Sequence, residues 1–250
     1  MSRELYQPHR EKSTPPAPPE ITTGIWGDIR TFFLQRPTVP TRIDLTGVES
    51  QTDYVDRIRQ RLGISVSEYE VLNIHRIGIE APVADVFEEL LAWDGRSTCW
   101  PSHVAPAERL DDRIEDIEIH LFGRRWPGAF GKGRFGVSLV PLFRMHLVRI
   151  CREPDPLFDN ARYLLFECSG GYPIGVFAMY VRSPIAHLGE VEPAQLFFGV
   201  GFDFFGRKFR PPVSPLKWTW QVIHDRVTAN VLNRFKQLSE WRFARTRHEV

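Results

Sequence analysis

The sequence is poor in cysteine. Its 250 residues contain three, Cys99, Cys151 and Cys168. Their odd number and wide spacing support neither a disulfide framework nor a Cys-x-x-Cys metal knuckle, and point to reduced thiols in a cytoplasmic protein. It lacks any apolar run approaching the ~18 residues of a membrane span, and its first residues carry charges and prolines where a secretory signal needs an apolar stretch. It lacks an excess of one charge: 32 Lys+Arg against 31 Asp+Glu leave a net charge of +1, so no global field recommends nucleic acid or an anionic membrane as partner. Catalytic signatures are missing as well. His103, His120, His187 and His224 have no metal-ligand spacing, and no Ser, Cys or Asp sits in a nucleophile motif. The glycine-rich basic stretch 128–136 has neither the Gly-Lys-Ser/Thr ending nor the following helix of a phosphate loop, and reads as a mobile loop or a lid. No cofactor is implied.

What is present is an ordinary globular balance, 42% hydrophobic and 25% charged, with a high aromatic share of 12% that includes 18 Phe and 7 Trp. A chain of this length buries about 70–75% of its unfolded surface, so a sizeable core is expected. Residues 1–20, with Pro8, Pro15, Pro16, Pro18 and Pro19 among polar neighbours, read as a disordered tail. Residues 21–68 form a helical extension: Ile25, Ile29 and Phe32 recur at helical spacing after Thr22 or Thr23 as cap, and Tyr54, Val55, Ile58 and Leu62 give a second stripe ended by Gly63. Such short helices need a body to dock on, and Trp26, Ile29, Phe32, Phe33 and Ile58 are expected to be buried against it.

The main domain is expected over 69–243. Val71, Asn73, His75, Ile77 and Ile79 share one face of a strand; then Val83, Val86, Phe87, Leu90 and Leu91 form a helical stripe opened by Pro82. Between about 108 and 205 several segments read as strands joined by turn-rich stretches, too short for helical crossovers, and therefore as an antiparallel meander. The last of these puts Leu196, Phe198, Val200, Phe202 and Phe204 on one side. From Ser214 the apolar residues Leu216, Trp220, Ile223, Val227, Val231, Phe235 and Leu238 keep steps of three or four to about Phe243, leaving Gln221 and Asp225 off the stripe and 244–250 as a tail.

Strand, Ala81-Pro82, helix, antiparallel strands and a long amphipathic C-terminal helix together resemble the START-like (SRPBCC, helix-grip) superfamily of lipid-transfer domains, polyketide cyclases and pollen-allergen-like carriers. The likeness is carried by Ile77-Gly78-Ile79-Glu80-Ala81-Pro82, by Val83, Val86, Phe87 and Leu90, by Trp93 and Trp100-Pro101, and by the terminal helix. It implies an α+β helix-grip fold, a curved antiparallel sheet wrapped around the C-terminal helix and enclosing a pocket for an apolar or aromatic small molecule. A sheet with one apolar face must bury it, and that helix is long enough to do so.

Asn73 and His75 are the polar residues that strand parity turns inward, where an unpaired group costs about 1–3 kcal/mol. A ligand, a water or a neighbouring side chain must satisfy them. His146 lies among Arg144, Arg149 and Arg152 on a strand whose inner parity the pattern leaves open, so that these basic residues either rim a cleft or form a solvated outer face. Trp93, Trp100, Phe166, Phe177, Tyr180, Phe198 and Trp220 are candidates to line the pocket, or simply to fill the core. Three functions follow: carriage of an apolar or aromatic small molecule; cyclase or aromatase chemistry in the same pocket with His75 moving a proton; or an interaction module with a filled pocket, engaging a protein through its N-terminal extension. Neither nucleic acid nor stable membrane insertion is expected.

Overall fold

The computed structural model describes residues 17–18, 24–44, 48–65, 69, 71–93, 107–109, 114–120, 141–155, 160–169, 174–183, 193–202 and 215–248. Trp100, His103, Cys99, the 128–136 stretch and the proposed caps Thr22, Thr23 and Ser214 lie outside them. Seven strands, β1 (Val71–Ile79), β2 (Ala107–Arg109), β3 (Asp116–His120), β4 (Pro141–Asp155), β5 (Ala161–Ser169), β6 (Ile174–Arg182) and β7 (Ala194–Phe202), form one sheet in the order β1-β7-β6-β5-β4-β3-β2, every pairing antiparallel. The chain thus meanders from β2 to β7 and closes by setting β7 beside β1. Helix α4 (Pro215–His248) lies across one face, joined at one end by α3 (Val83–Leu91), and the fold is α+β of the helix-grip kind.

The register explains the inner face. His75, Phe198, Met179, Leu164 and Ile150 are successive cross-strand partners, and Asn73, Val200, Phe177, Phe166 and Leu147 form the adjacent row. Against them α4 lays Val231, Leu232 and Phe235, and α3 adds Val86, Phe87, Leu90 and Trp93. The rings interlock: Phe166 stacks on Phe177 at 6.2 Å, Phe177 meets Phe198 edge-on at 5.4 Å and Phe198 meets Phe235 edge-on at 5.7 Å. The helical stripe expected to grip the sheet does so at Val231 and Phe235, whereas Ile223 and Val227 nearer its N-terminus are half-buried. Polar clasps fix the helix along β1: Lys236 Nζ donates to the Gly78 carbonyl at 2.8 Å, and Glu240 Oε1 accepts from the Glu80 N–H at 2.8 Å. The helix runs on to His248 instead of stopping near 243, because its basic last turns suit a helix C-terminus and Arg245 and Arg247 lie over the Trp241 and Phe243 rings.

The N-terminal extension divides between the two faces. Helix α1 (Ile25–Ile29) continues as a π-helical segment, Arg30–Leu34, that rests on α4, where Asn230 Nδ2 donates to the Thr31 carbonyl at 3.0 Å. Residues 39–43 then run as a strap along the outer edge of β1. Arg76 N–H donates to the Thr41 carbonyl at 2.7 Å and Ile43 N–H to the Ile74 carbonyl at 2.9 Å, while Asn233 of α4 holds Val39 through both its N–H and its carbonyl, each at 3.0 Å. Helix α2 (Val48–Leu62) lies over the opposite face, where Leu62 and Ile58 join a second cluster with Leu165, Val176, Ala178 and Tyr180. Two expectations change here. Trp26 is 81% exposed, since five-residue α1 turns Gly27 and Asp28 inward instead; its N-cap is Gly24, with no capping side chain. No helix among the described residues is long and apolar enough to cross a membrane.

Candidate functional site

Of the ten candidate residues, strand register gathers five on the inner face: Asn73, His75, Phe166, Phe177 and Phe198. Trp93, 1% exposed at the end of α3, packs into the same core, and Arg109 Nε donates to its carbonyl at 3.1 Å. Two lie elsewhere. Tyr180 is paired with Tyr163 and Phe197 and points to the face that α2 covers, because its strand alternates Val176, Ala178 and Tyr180 on that side against Phe177, Met179 and Val181 on the other. His146 is exposed opposite buried Met145, with Nδ1 3.0 Å from Asp116 Oδ1 and Arg144 on the same carboxylate. That contact, led by the His146 hydrogen bond, holds the Asp116 carboxyl below its ordinary range; it belongs to a solvated outer face and not to a cleft. Trp100 and the side chain of Trp220 lie outside the described residues.

Three residues unmarked by the sequence pattern complete the surroundings of His75. Its ring is fully buried, with Nδ1 2.9 Å from the Thr41 hydroxyl on the strap and Nε2 3.4 Å from Asp225 Oδ1 on α4. The other Asp225 oxygen takes the guanidinium of Arg42, the strap residue bridged to His75. Asp225 was expected on the solvated side of α4; the helix instead carries it over the β1 edge, where its side chain is 17% exposed. Among the described residues, four buried polar atoms at this site have no hydrogen-bond partner: Asn73 Oδ1, Asn73 Nδ2, His75 Nε2 and Asp225 Oδ1. At 3.4 Å the imidazole and carboxylate are too far apart for a good hydrogen bond, yet close enough for a third polar atom to serve both. An imidazole held by a hydroxyl on one side and facing a carboxylate on the other is equipped to bind a polar group or to pass a proton. Val200, Phe198 and Phe177, the cross-strand neighbours, supply an apolar wall beside it.

Cys168 and Glu89 also sit by this core. Burial pushes the Cys168 thiol up, which leaves it protonated and unreactive. Glu89 on α3 is held above the usual carboxylate range by burial, partly offset by Arg242, whose Nε is 2.7 Å from Glu89 Oε1.

No family model matches the sequence, and no curated protein matches it. Solved structures similar to the chain include the Zhui aromatase/cyclase from Streptomyces sp. R1128, at 12% identity and a TM-score of 0.34, covering 71% of this chain and 95% of that one. Another is a point mutant of norcoclaurine synthase from Thalictrum flavum in complex with a transition-state analogue, at 11% identity and a TM-score of 0.30, covering 65% of this chain and 94% of that one. Both are members of the START-like superfamily that the sequence resembles. The helix-grip arrangement itself stands on the strand order and the course of α4.

Proposed function

We propose that the protein binds a small, largely aromatic molecule against the inner face of the sheet, with a carbonyl or hydroxyl group of that molecule seated among Asn73, His75 and Asp225. The observation that supports this is the set of unpaired polar atoms on those three residues. Each unpaired buried group costs about 1–3 kcal/mol, and an amide that both donates and accepts, beside an imidazole and a carboxylate, suits a ligand oxygen on an otherwise apolar body. The interlocked rings of Phe198 and Phe235 fill the centre of the interior, so the ligand belongs at the half-buried Phe177 end, beside Asn73. Titration of the full chain with 2-naphthol, followed by fluorescence, tests this. Saturable binding should weaken by about tenfold or more in Asn73→Leu, which removes the amide at similar volume. Equal binding by the variant, or none by the parent protein, overturns the proposal.

A second reading, proton transfer in the same pocket as in a cyclase or aromatase, is favoured by the placement of Asp225 beside His75. His75 Nε2 accepts a proton from a carbon next to the ligand carbonyl and returns it, while Asp225 offsets the imidazolium charge. The test is deuterium exchange at the α-carbons of 2-tetralone in heavy water. His75→Gln should abolish protein-dependent exchange and leave 2-naphthol binding within about threefold; exchange that survives the substitution excludes His75 as the base.

A further inference from the structure

On the opposite face of the sheet, α2 does not close down on the strands beneath it. A groove of about 100 Å³ remains, floored by β1, β6 and β7 and walled by α2. Its floor is low where Ala178 and Gly199 are cross-strand partners. Three glycines on these two strands differ in what occupies the space above them. At Gly175 and Gly201 the Tyr69 ring fills the place of the missing side chain. At Gly199 a Cβ would meet nothing nearer than the Ala178 Cβ at 4.0 Å, so no side chain of the described residues uses that space.

The walls have a definite chemistry. Tyr54, Tyr180 and Phe197 put aromatic rings around the groove, and Arg57, Arg61 and Arg182 line it, with no carboxylate among the described lining residues. Two of the guanidiniums are oriented by the rings themselves: Arg61 lies 5.7 Å above Tyr180 and donates to its hydroxyl at 3.0 Å, and Arg182 lies 5.3 Å from the Phe197 ring centre. Arg57, on the same helix, is exposed at the mouth. An apolar trough with cationic walls selects an amphiphile, and a volume near 100 Å³ suits one aromatic ring rather than a long chain.

We infer that this outer groove is a second small-molecule site, separate from the Asn73–His75–Asp225 cluster, and that it takes an aryl carboxylate with the ring over Gly199 and the carboxylate toward Arg57. Calorimetric titration of the full chain with phenylacetate, and separately with the uncharged 2-phenylethanol, reads both halves of the claim. Phenylacetate should bind saturably and about tenfold more tightly than the alcohol. Gly199→Val should abolish binding by filling the trough, with an unchanged or raised melting temperature because the site has room and a β-branched residue suits a strand. Arg57→Gln should weaken phenylacetate several-fold and leave 2-phenylethanol unaffected. Asn73→Leu should leave phenylacetate binding unchanged, which separates this site from the inner one. Absence of saturable binding, equal affinity for acid and alcohol, or undiminished phenylacetate binding by folded Gly199→Val would each overturn the inference, and a loss in Asn73→Leu would move the ligand to the inner face.

Discussion

His75 and Asp225 face each other where β1 meets α4, Nε2 to Oδ1 at 3.4 Å, with neither atom in a hydrogen bond. The other side of the imidazole is tied to the Thr41 hydroxyl at 2.9 Å. One ring therefore joins the strap, the sheet and the helix, and the strap contact can be tested by isosteric substitution. Thr41→Val keeps the shape and removes the hydroxyl, leaving Nδ1 unpaired. It should cost about 1–3 kcal/mol in urea denaturation, while Thr41→Ser should cost less than half as much. Equal losses for the two variants would assign the effect to packing and not to the hydrogen bond.

The grip of α4 on the sheet is a burial effect, and paired substitutions isolate it. Val231 is 1% exposed against the core, and Gln237 faces solvent on the same helix. Val231→Asp should destabilise by about 3–5 kcal/mol, and Gln237→Asp by no more than about 0.5 kcal/mol. Both place one new negative charge within a helix. Similar melting temperatures for the two variants would contradict the packing described for α4.

Glu89 gives stability a pH dependence of known sign. Because burial raises its folded-state pKa, the native protein holds this proton over a range in which the unfolded chain has released it. Stability from this group is greatest at acid pH and declines as pH rises from the ordinary carboxylate value through the raised one. Urea midpoints measured from pH 4 to 8 should therefore show a smaller decline in Glu89→Gln than in the parent protein. An identical profile would mean that Glu89 ionises normally.

The strap should respond to a change made far away in sequence. Asn233→Ala removes both hydrogen bonds to Val39 and should release residues 39–43 from β1. Amide exchange at Arg76, whose N–H is held by the Thr41 carbonyl, should then accelerate by at least about tenfold. Amides of β5 and β6 should keep their protection. Unchanged exchange at Arg76 would show that the strap holds to the edge without α4.

Much of this architecture is legible in the sequence because it follows from periodicity. The alternation in β1 places Asn73 and His75 on one face with Ile77 and Ile79, and register confirms it. Parity in β6 was not legible. Ile174 to Val181 is apolar at every position except glycine, and the reason is now visible: α2 covers one face and α4 the other, so Tyr180 could not be assigned to its side by pattern alone. In β4 the irregularity between Leu147 and Arg149 interrupts the alternation, so the pattern alone does not show that His146 faces outward. Thr41 and Arg42 sit in a stretch rich in proline and threonine that reads as a connector, and their strand-like pairing depends on β1 and α4 together. Asp225 looked solvated because the helical stripe describes the sheet-facing side of α4 and says nothing of its flank.

The strap also sets an order of assembly. Val39 is tied to Asn233 across 194 positions of sequence, and Arg42 to Asp225 across 183. During synthesis the meander can pair strand by strand from local contacts, but the walls of the His75 site come from opposite ends of the chain. Until α4 has been made and seated, the imidazole lacks Asp225 and the strap lacks Asn233. The surroundings of His75 are therefore complete only when the two ends of the sequence meet.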